Sequence, residues 1–166
     1  QFQAKAFLKD FDIPEEFVKT ALEEEAPART IDTIHMPNLL AAHGVDAARG
    51  YVGLMSARTN HFLTAASSRP RFLSMVSAPV NVITPAMLWP NVRFVIANEK
   101  TPISESLGAP VAQSGNLAMI RLFPPFPRAY FAREILPVPN EETALSSLEK
   151  QLVDPLVTVM AEGLEE

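Results

Sequence analysis

Cysteine is absent from the sequence. This absence excludes disulfide bonds, thiol nucleophiles and cysteine-ligated zinc or iron–sulfur sites. It leaves the compartment open, because exported domains also often lack cysteine. The chemistry of this protein must therefore come from other side chains.

Glycine and positive charge are also scarce. With six glycines the sequence has no Gly-x-Gly-x-x-Gly fingerprint, no phosphate-binding loop and no Gly-x-Ser-x-Gly elbow. The net charge of −5 provides no broad basic surface to neutralise phosphates. We therefore predict no cofactor, no nucleic-acid partner and no serine nucleophile.

Only three histidines are present, His35, His43 and His61. They do not follow the His-x-x-x-His spacing of a helical zinc site, and no carboxylate pair lies beside them in the sequence. The sequence therefore predicts no metal site.

One long uncharged run lies between Arg71 and Arg93, and its length is close to that of a membrane-spanning helix. Pro79, Pro85 and Pro90 divide it into pieces too short to span a bilayer. We interpret the run as a helix end, a strand and a loop. The first residues do not resemble a signal peptide, and we expect the chain to be a fragment of a larger protein.

Helical spacing and cap residues predict several short helices. Pro14 suits a first helical turn, Gly44 a left-handed cap and Asn140 an N-cap. Phe17, Val18, Ala21 and Leu22 are predicted to form one apolar face. The predicted helical segments are IPEEFVKTALEEE, PNLLAAHG, SARTNHFLTAA, RFLSMV and NEETALSSLEK.

Alternating or β-rich segments predict the strands, with QSGN at 113–116 as a turn. These segments are ARTIDTIHM, VNVIT, VRFVIA, LAMIRLF, RAYFAREIL and LVTVM. The length of 166 residues and the 48% apolar content suit one domain with a full core. We predict a mixed α+β fold in which short helices flank a central sheet of about five strands. Residues 1–28 form a helical lead-in, and residues 29–166 form the α/β domain.

The loop between residues 39 and 54 carries the densest group of polar residues. His43, Asp46, Arg49 and Tyr51 lie here among three glycines, and such a loop can present polar groups to a ligand. The alternative, which we favour, is structural: Arg49 pairs with Asp46 or a main-chain carbonyl, and Tyr51 packs under the next helix.

Two proline-flanked segments also raise the question of function. FPPFPRAYFARE at 123–134 is predicted to be a half-buried strand, with Arg128 and Tyr130 on one face and Phe131 and Arg133 on the other. PAMLWPN at 85–91 fits either an exposed apolar tip at a membrane interface or a turn whose Trp89 folds over the core. Both readings of PAMLWPN stay open.

The order of these segments resembles the extracytoplasmic region of the YfhO-type bacterial membrane proteins, which themselves resemble membrane-embedded glycosyltransferases using lipid-linked sugars. NLLAAHGVDAARGYVGLMSARTNHFL resembles the family's short helix, Gly-Tyr turn and second helix. RFLSMVSAPVNVIT and VRFVIA together resemble its Leu-rich helix and the strand with a Val-x-Tyr-Val-Ile-like run that follows. NLAMIRLFPPFPRAYFAREILPVPNEETALSSLE resembles the later strands and acidic helix. This chain departs from the family in a longer segment, ITPAMLWPNVRFVIANEKTP, and lacks the β-rich segment that typically follows.

The resemblance implies a non-catalytic domain on the extracytoplasmic side of the bacterial cytoplasmic membrane. Its expected partners are the transmembrane part of the same protein and a glycan, cell-envelope polymer or lipid-linked sugar. The ligand would contact His43, Asp46, Arg49, Tyr51 and Arg58, and the membrane would contact Met87, Leu88 and Trp89. The resemblance transfers no catalytic residue to this chain.

Two further functions stay open. One is a free-standing soluble hydrolase with a site among His35, His43, Asp46 and Arg49. The other is an interaction module, which would present a contiguous apolar patch on its surface.

Overall fold

The computed structural model describes residues 12–24, 28–34, 39–48, 61–62, 65–66, 83–98, 101–103, 106–124, 127 and 129–163. The helices within these ranges are α1 (Glu15–Leu22), α2 (Leu39–Ala42) and α3 (Glu141–Glu149), and His61, Phe62, Ala65 and Ala66 are also helical. A 3₁₀ turn covers Pro85–Leu88. The strands are β1 (Arg29–Asp32), β2 (Val92–Asn98), β3 (Gly108–Ser114), β4 (Leu117–Leu122), β5 (Glu134–Val138) and β6 (Thr158–Glu162).

The central sheet has four strands in the order β1-β2-β4-β3. β1 runs parallel to β2, whereas β2–β4 and β3–β4 are antiparallel. A tight turn joins β3 to β4, and Gly115 takes φ +57° there. Glycine suits this position because a side chain disfavours positive φ.

The two faces of this sheet bury separate clusters, because alternate residues of β2 and β4 point to opposite sides. Helix α1 lies over one face, where its Phe17 is fully buried with Phe94 and Met119. The opposite face packs against the 3₁₀ turn and α3, through residues such as Met87, Leu122 and Leu148. The helix inside the predicted lead-in thus contributes to the core of the same domain.

The C-terminal part is a β-α-β unit. Strands β5 and β6 pair in parallel as a two-stranded sheet, with α3 between them in the chain. Asn140 caps α3, since its Oδ1 accepts a hydrogen bond of 2.9 Å from the Thr143 main-chain N–H. Leu145 and Leu148 on α3 are buried in the core.

The predicted mixed α+β class is confirmed, with four strands in the central sheet and two in a second sheet. The predicted helices at α1, α2 and α3 form, and Gly44 takes φ +77° after α2. Strands β1, β2, β4, β5 and β6 overlap predicted strands. Among the described residues, no helix is long and apolar enough to cross a bilayer.

Several predictions are wrong in detail. Strand β3 was not predicted, because GAPVAQS has Gly, Pro and few large apolar residues. Residues 129–133 are not in a strand, and neither are Ile83 and Thr84. Three of the four residues of β1 are buried, so its burial does not alternate. Leu22 is exposed rather than on the packed face of α1. The segment RFLSMV lies outside the described residues.

Candidate functional site

The described part of the loop after α2, residues 43–48, holds two of the five residues predicted to bind a ligand. His43 Nε2 lies 3.4 Å from the Asp12 carboxylate, and Asp46 Oδ2 lies 3.8 Å from Arg29 Nε. Each residue thus contacts a charged side chain from another element. Arg49, Tyr51 and Arg58 lie outside the described residues, and so does His35.

Main-chain hydrogen bonds hold this loop against β1. The Thr30 N–H donates to the Asp46 carbonyl at 2.8 Å, and the Ala48 N–H donates to the Thr30 carbonyl at 3.0 Å. Ala47 forms a parallel bridge with Thr30. The loop therefore extends the edge of the central sheet, and this pairing places Asp46 beside Arg29 at the start of β1.

His61 has a carboxylate partner that sequence reasoning missed. Its Nδ1 lies 3.0 Å from Glu141 Oε1, in the first turn of α3. The two residues are 80 positions apart, so the contact follows from tertiary folding rather than from sequence spacing. It links the helical residues around His61 to α3.

A charge cluster at one end of the central sheet was also missed. Glu24 accepts contacts from two arginines: Arg93 Nε at 3.3 Å and Arg121 Nη2 at 3.1 Å. Arg93 Nη1 also donates to the Leu122 carbonyl at 2.8 Å, and the Arg121 guanidinium lies 5.3 Å from the centre of the Phe94 ring. One carboxylate therefore faces two guanidinium groups, leaving an excess of one positive charge.

Burial strengthens this cluster, because Glu24 and Arg93 are each only 15% exposed. Within the described part of the chain, Arg121 Nε is buried without a hydrogen-bond partner. The cluster links Glu24, two residues after the end of α1, to β2 and β4. The acidic run at 23–25 and the arginines in apolar strands were the available sequence signals, but neither indicates the pairing.

The 3₁₀ turn at 85–88 does not form an exposed apolar tip. Met87 and Leu88 are buried in the core. The half-buried Trp89 ring lies 6.1 Å from the Phe62 ring, and its Nε1 donates to the Pro155 carbonyl at 3.1 Å. The exposed-tip interpretation of Met87, Leu88 and Trp89 is corrected, because apolar packing turns these side chains inward. The alternative, in which Trp89 folds over the core, agrees with the structure.

The segment before β5 differs from the predicted half-buried strand. Tyr130 packs against the core and Phe131 is fully exposed, but neither residue belongs to a strand. Burial raises the pKa of the Tyr130 phenol, because desolvation disfavours the charged phenolate. Strand β5 begins only at Glu134, and Arg128 lies outside the described residues.

An open cleft of about 730 Å³ lies between the 3₁₀ turn and the chain that follows α3. Its walls are mainly apolar, and Phe123, Leu152 and Leu156 on its border are exposed. Asp154 also lines it, but its Oδ1 accepts a hydrogen bond from the Leu156 N–H at 2.9 Å. The cleft therefore suits apolar rather than anionic groups.

No group of three or more acidic or histidine side chains is arranged to hold a metal ion in the described part of the chain. No protein-family model, curated protein or solved structure matches the sequence significantly.

Proposed function

We propose that this chain is a non-catalytic, extracytoplasmic domain of a YfhO-type membrane protein. In this role it assists binding of a glycan or cell-envelope polymer beside the membrane-embedded part of that protein. One observation carries the proposal: segments that resemble the family fold as α2, β2, β4 and α3. These elements contribute buried residues to the two core clusters that lie on the two faces of the four-stranded sheet.

The described polar residues of this region are paired across elements of the fold. His43 faces Asp12, Asp46 faces Arg29, and His61 faces Glu141. Each pair joins two elements of the fold. These contacts stabilise the scaffold, and we assign none of these residues a catalytic role.

The loop after α2 is the proposed contact surface for the glycan. His43 and Asp46 lie in its described part, and Arg49, Tyr51 and Arg58 follow them in the sequence. Tyrosine rings stack on sugar faces, and guanidinium groups form paired hydrogen bonds with anionic substituents. The main-chain bonds to β1 provide a rigid base for such a loop.

Location can be tested in cells that express the full-length protein. Because this chain has no cysteine, we would introduce one at the exposed Val111 and label spheroplasts, in a parent cleared of other cysteines, with a membrane-impermeant maleimide. We expect labelling without lysis, and a matched cysteine at the buried Ala97 should stay unlabelled. Labelling of Val111→Cys only after lysis would contradict an extracytoplasmic location.

Glycan binding can be tested by nuclear magnetic resonance titration with polygalacturonate and, in parallel, neutral dextran. We expect shifts in the loop after α2 that Arg49→Ala and Arg58→Ala reduce, while Lys19→Ala on the exposed side of α1 leaves them unchanged. Absence of shifts with both polymers contradicts the glycan role. Hydrolysis of either polymer that His43→Ala abolishes would instead favour the hydrolase.

A further inference from the structure

The outer face of the β5–β6 pair is entirely apolar. In parallel strands, residues in register share a face and successive residues alternate between faces. Ile135 pairs with Val159, and Pro137 pairs with Ala161. These four side chains therefore lie on one face, hereafter the outer face. Ile135 is 59% exposed and Pro137 is also exposed.

The opposite face of the same two strands packs on the domain at its Val138 and Met160, whereas Leu136 on this face is 41% exposed. Val138 is buried, and Met160 packs against the core cluster that contains Leu145 and Leu148 of α3. Parallel strands are normally covered by helices on both faces. The β5-α3-β6 unit thus has its helix on one side and, on the other, an apolar face that is exposed along β5 and half-buried along β6.

We propose that the outer face is the docking site for one amphipathic helix of a partner polypeptide. Five residues per strand at about 3.3 Å each give a face about 16 Å long, and two strands give a width of about 10 Å. A single helix has about this width, and about 11 residues of helix cover this length. The helix would present aliphatic side chains, because all four residues of the face are apolar.

The size of the face argues against a second copy of this chain as the occupant. A footprint of about 16 by 10 Å is far smaller than the roughly 800 Å² that each partner buries in a standard protein interface. A single helix needs only this narrow strip. The surface therefore fits one element rather than another globular domain.

The charge of Arg133 sets the direction of the helix. Arg133 is exposed and directly precedes β5, whereas Glu162 pairs with Val138 and so lies on the opposite face. A helix that runs antiparallel to the strands places its negative C-terminal end near Arg133. The proposed helix therefore runs antiparallel to β5 and β6. This inference does not depend on the proposed glycan role.

The probe is a synthetic amphipathic peptide of about 14 residues with leucines spaced along one helical face. A control peptide has the same composition with its leucines redistributed around the helix. Both are titrated into the 166-residue chain that carries a single dye-labelled cysteine at Val159, or at Val111 on β3 as a surface control. We expect a blue shift of the dye at Val159 only, and only with the amphipathic peptide.

Two matched variants test the surface. Ile135→Lys should weaken peptide binding by about tenfold or more, because it places a charge in an apolar contact, whereas Val111→Lys should leave the binding constant unchanged. Ile135→Ser removes apolar area without adding charge and should also weaken binding. Thermal unfolding of each variant checks that the loss of binding is not a loss of folding.

A nitroxide on either end of the peptide tests the direction. The N-terminal label should broaden the amide resonance of Glu162, and the C-terminal label that of Arg133. Equal binding of both peptides, or binding insensitive to Ile135→Lys, overturns the proposal. So does self-association that Ile135→Lys abolishes, which indicates a second copy, or a dye shift that requires phosphatidylglycerol vesicles, which indicates a membrane.

Discussion

The indole Nε1 of Trp89 donates a hydrogen bond to the main-chain carbonyl of Pro155 at 3.1 Å. This bond connects the 3₁₀ turn before β2 with the loop that leads into β6. The two residues are 66 positions apart. The bond therefore links a turn beside the central sheet to the β-α-β unit. Beside it, the Trp89 ring packs against Phe62 at an interplanar angle of 40°.

The first prediction concerns this hydrogen bond. Trp89→Phe keeps an aromatic ring beside Phe62 but removes the donor to Pro155, so the free energy of unfolding should fall by about 1 kcal/mol. Urea unfolding followed by circular dichroism measures the change, because the variant has lost the only tryptophan of the chain. Trp89→Leu should be less stable than Trp89→Phe, since it also loses the ring contact. Equal stability of Trp89→Phe and the wild type would contradict the importance of this bond.

The second prediction concerns the cluster of Glu24, Arg93 and Arg121. Glu24→Gln leaves two guanidinium groups without their carboxylate, and we expect a loss of about 2 kcal/mol because the cluster is largely buried. The measurement is the urea midpoint at low and high salt.

The matched control for this cluster is Glu23→Gln on the adjacent residue. Glu23 lies 3.7 Å from Lys19 in a pair whose side chains are 65% and 70% exposed, so its loss should cost at most about 0.5 kcal/mol. If both variants lose the same stability, burial does not strengthen the Glu24 cluster as argued.

The third prediction concerns the N-cap of α3. Asn140→Ala removes the acceptor for the Thr143 N–H and should reduce the free energy of unfolding by about 1 kcal/mol. Asn140→Asp retains a capping oxygen and should restore most of that stability. Hydrogen exchange at Thr143 reports the cap directly. Slow exchange at Thr143 in Asn140→Ala would show that another group caps the helix.

The fourth prediction concerns the Tyr130 phenol, whose pKa is raised above 10.0 by burial. A folded-state pKa above the unfolded value means that the phenol stabilises the fold at pH values below 10.0. This contribution is lost as the pH rises through the folded-state pKa. Stability should therefore decline above pH 10.0, and Tyr130→Phe should show a shallower decline.

Absorbance titration of the Tyr51→Phe variant measures this pKa, because the chain has only two tyrosines and Tyr130 is then the single titrating phenol. A midpoint at or below 10.0 would show that the folded state does not disfavour the phenolate.

Local signals in the sequence were enough for several elements of the fold. Pro14 and Gly44 mark helix ends through the backbone conformations that they favour. Asn140 marks one through the hydrogen bond that its side chain accepts. The β-branched and aromatic residues of VRFVIA identify β2 in the same local way. Strand β3 escaped prediction because its pairing with β4 stabilises a segment of weak strand propensity, which is a tertiary effect.

For the candidate site, sequence reasoning identified the loop after α2 but not the partners of its residues. Arg29 lies beside Asp46 only because residues 46–48 pair with β1. The inward position of Met87, Leu88 and Trp89 was one of two open readings, since an apolar turn is equally compatible in sequence with a membrane and with a core.

Composition and contacts within a few residues are enough to give the α+β class, the absence of thiol chemistry and the positions of the capped helices. Two other features follow from the three-dimensional fold alone: one carboxylate, Glu24, is shared by two arginines, and β5 and β6 pair in parallel with an apolar outer face. These features join residues far apart in the chain. Their geometry depends on which surfaces the hydrophobic core brings together, and no local pattern encodes that choice.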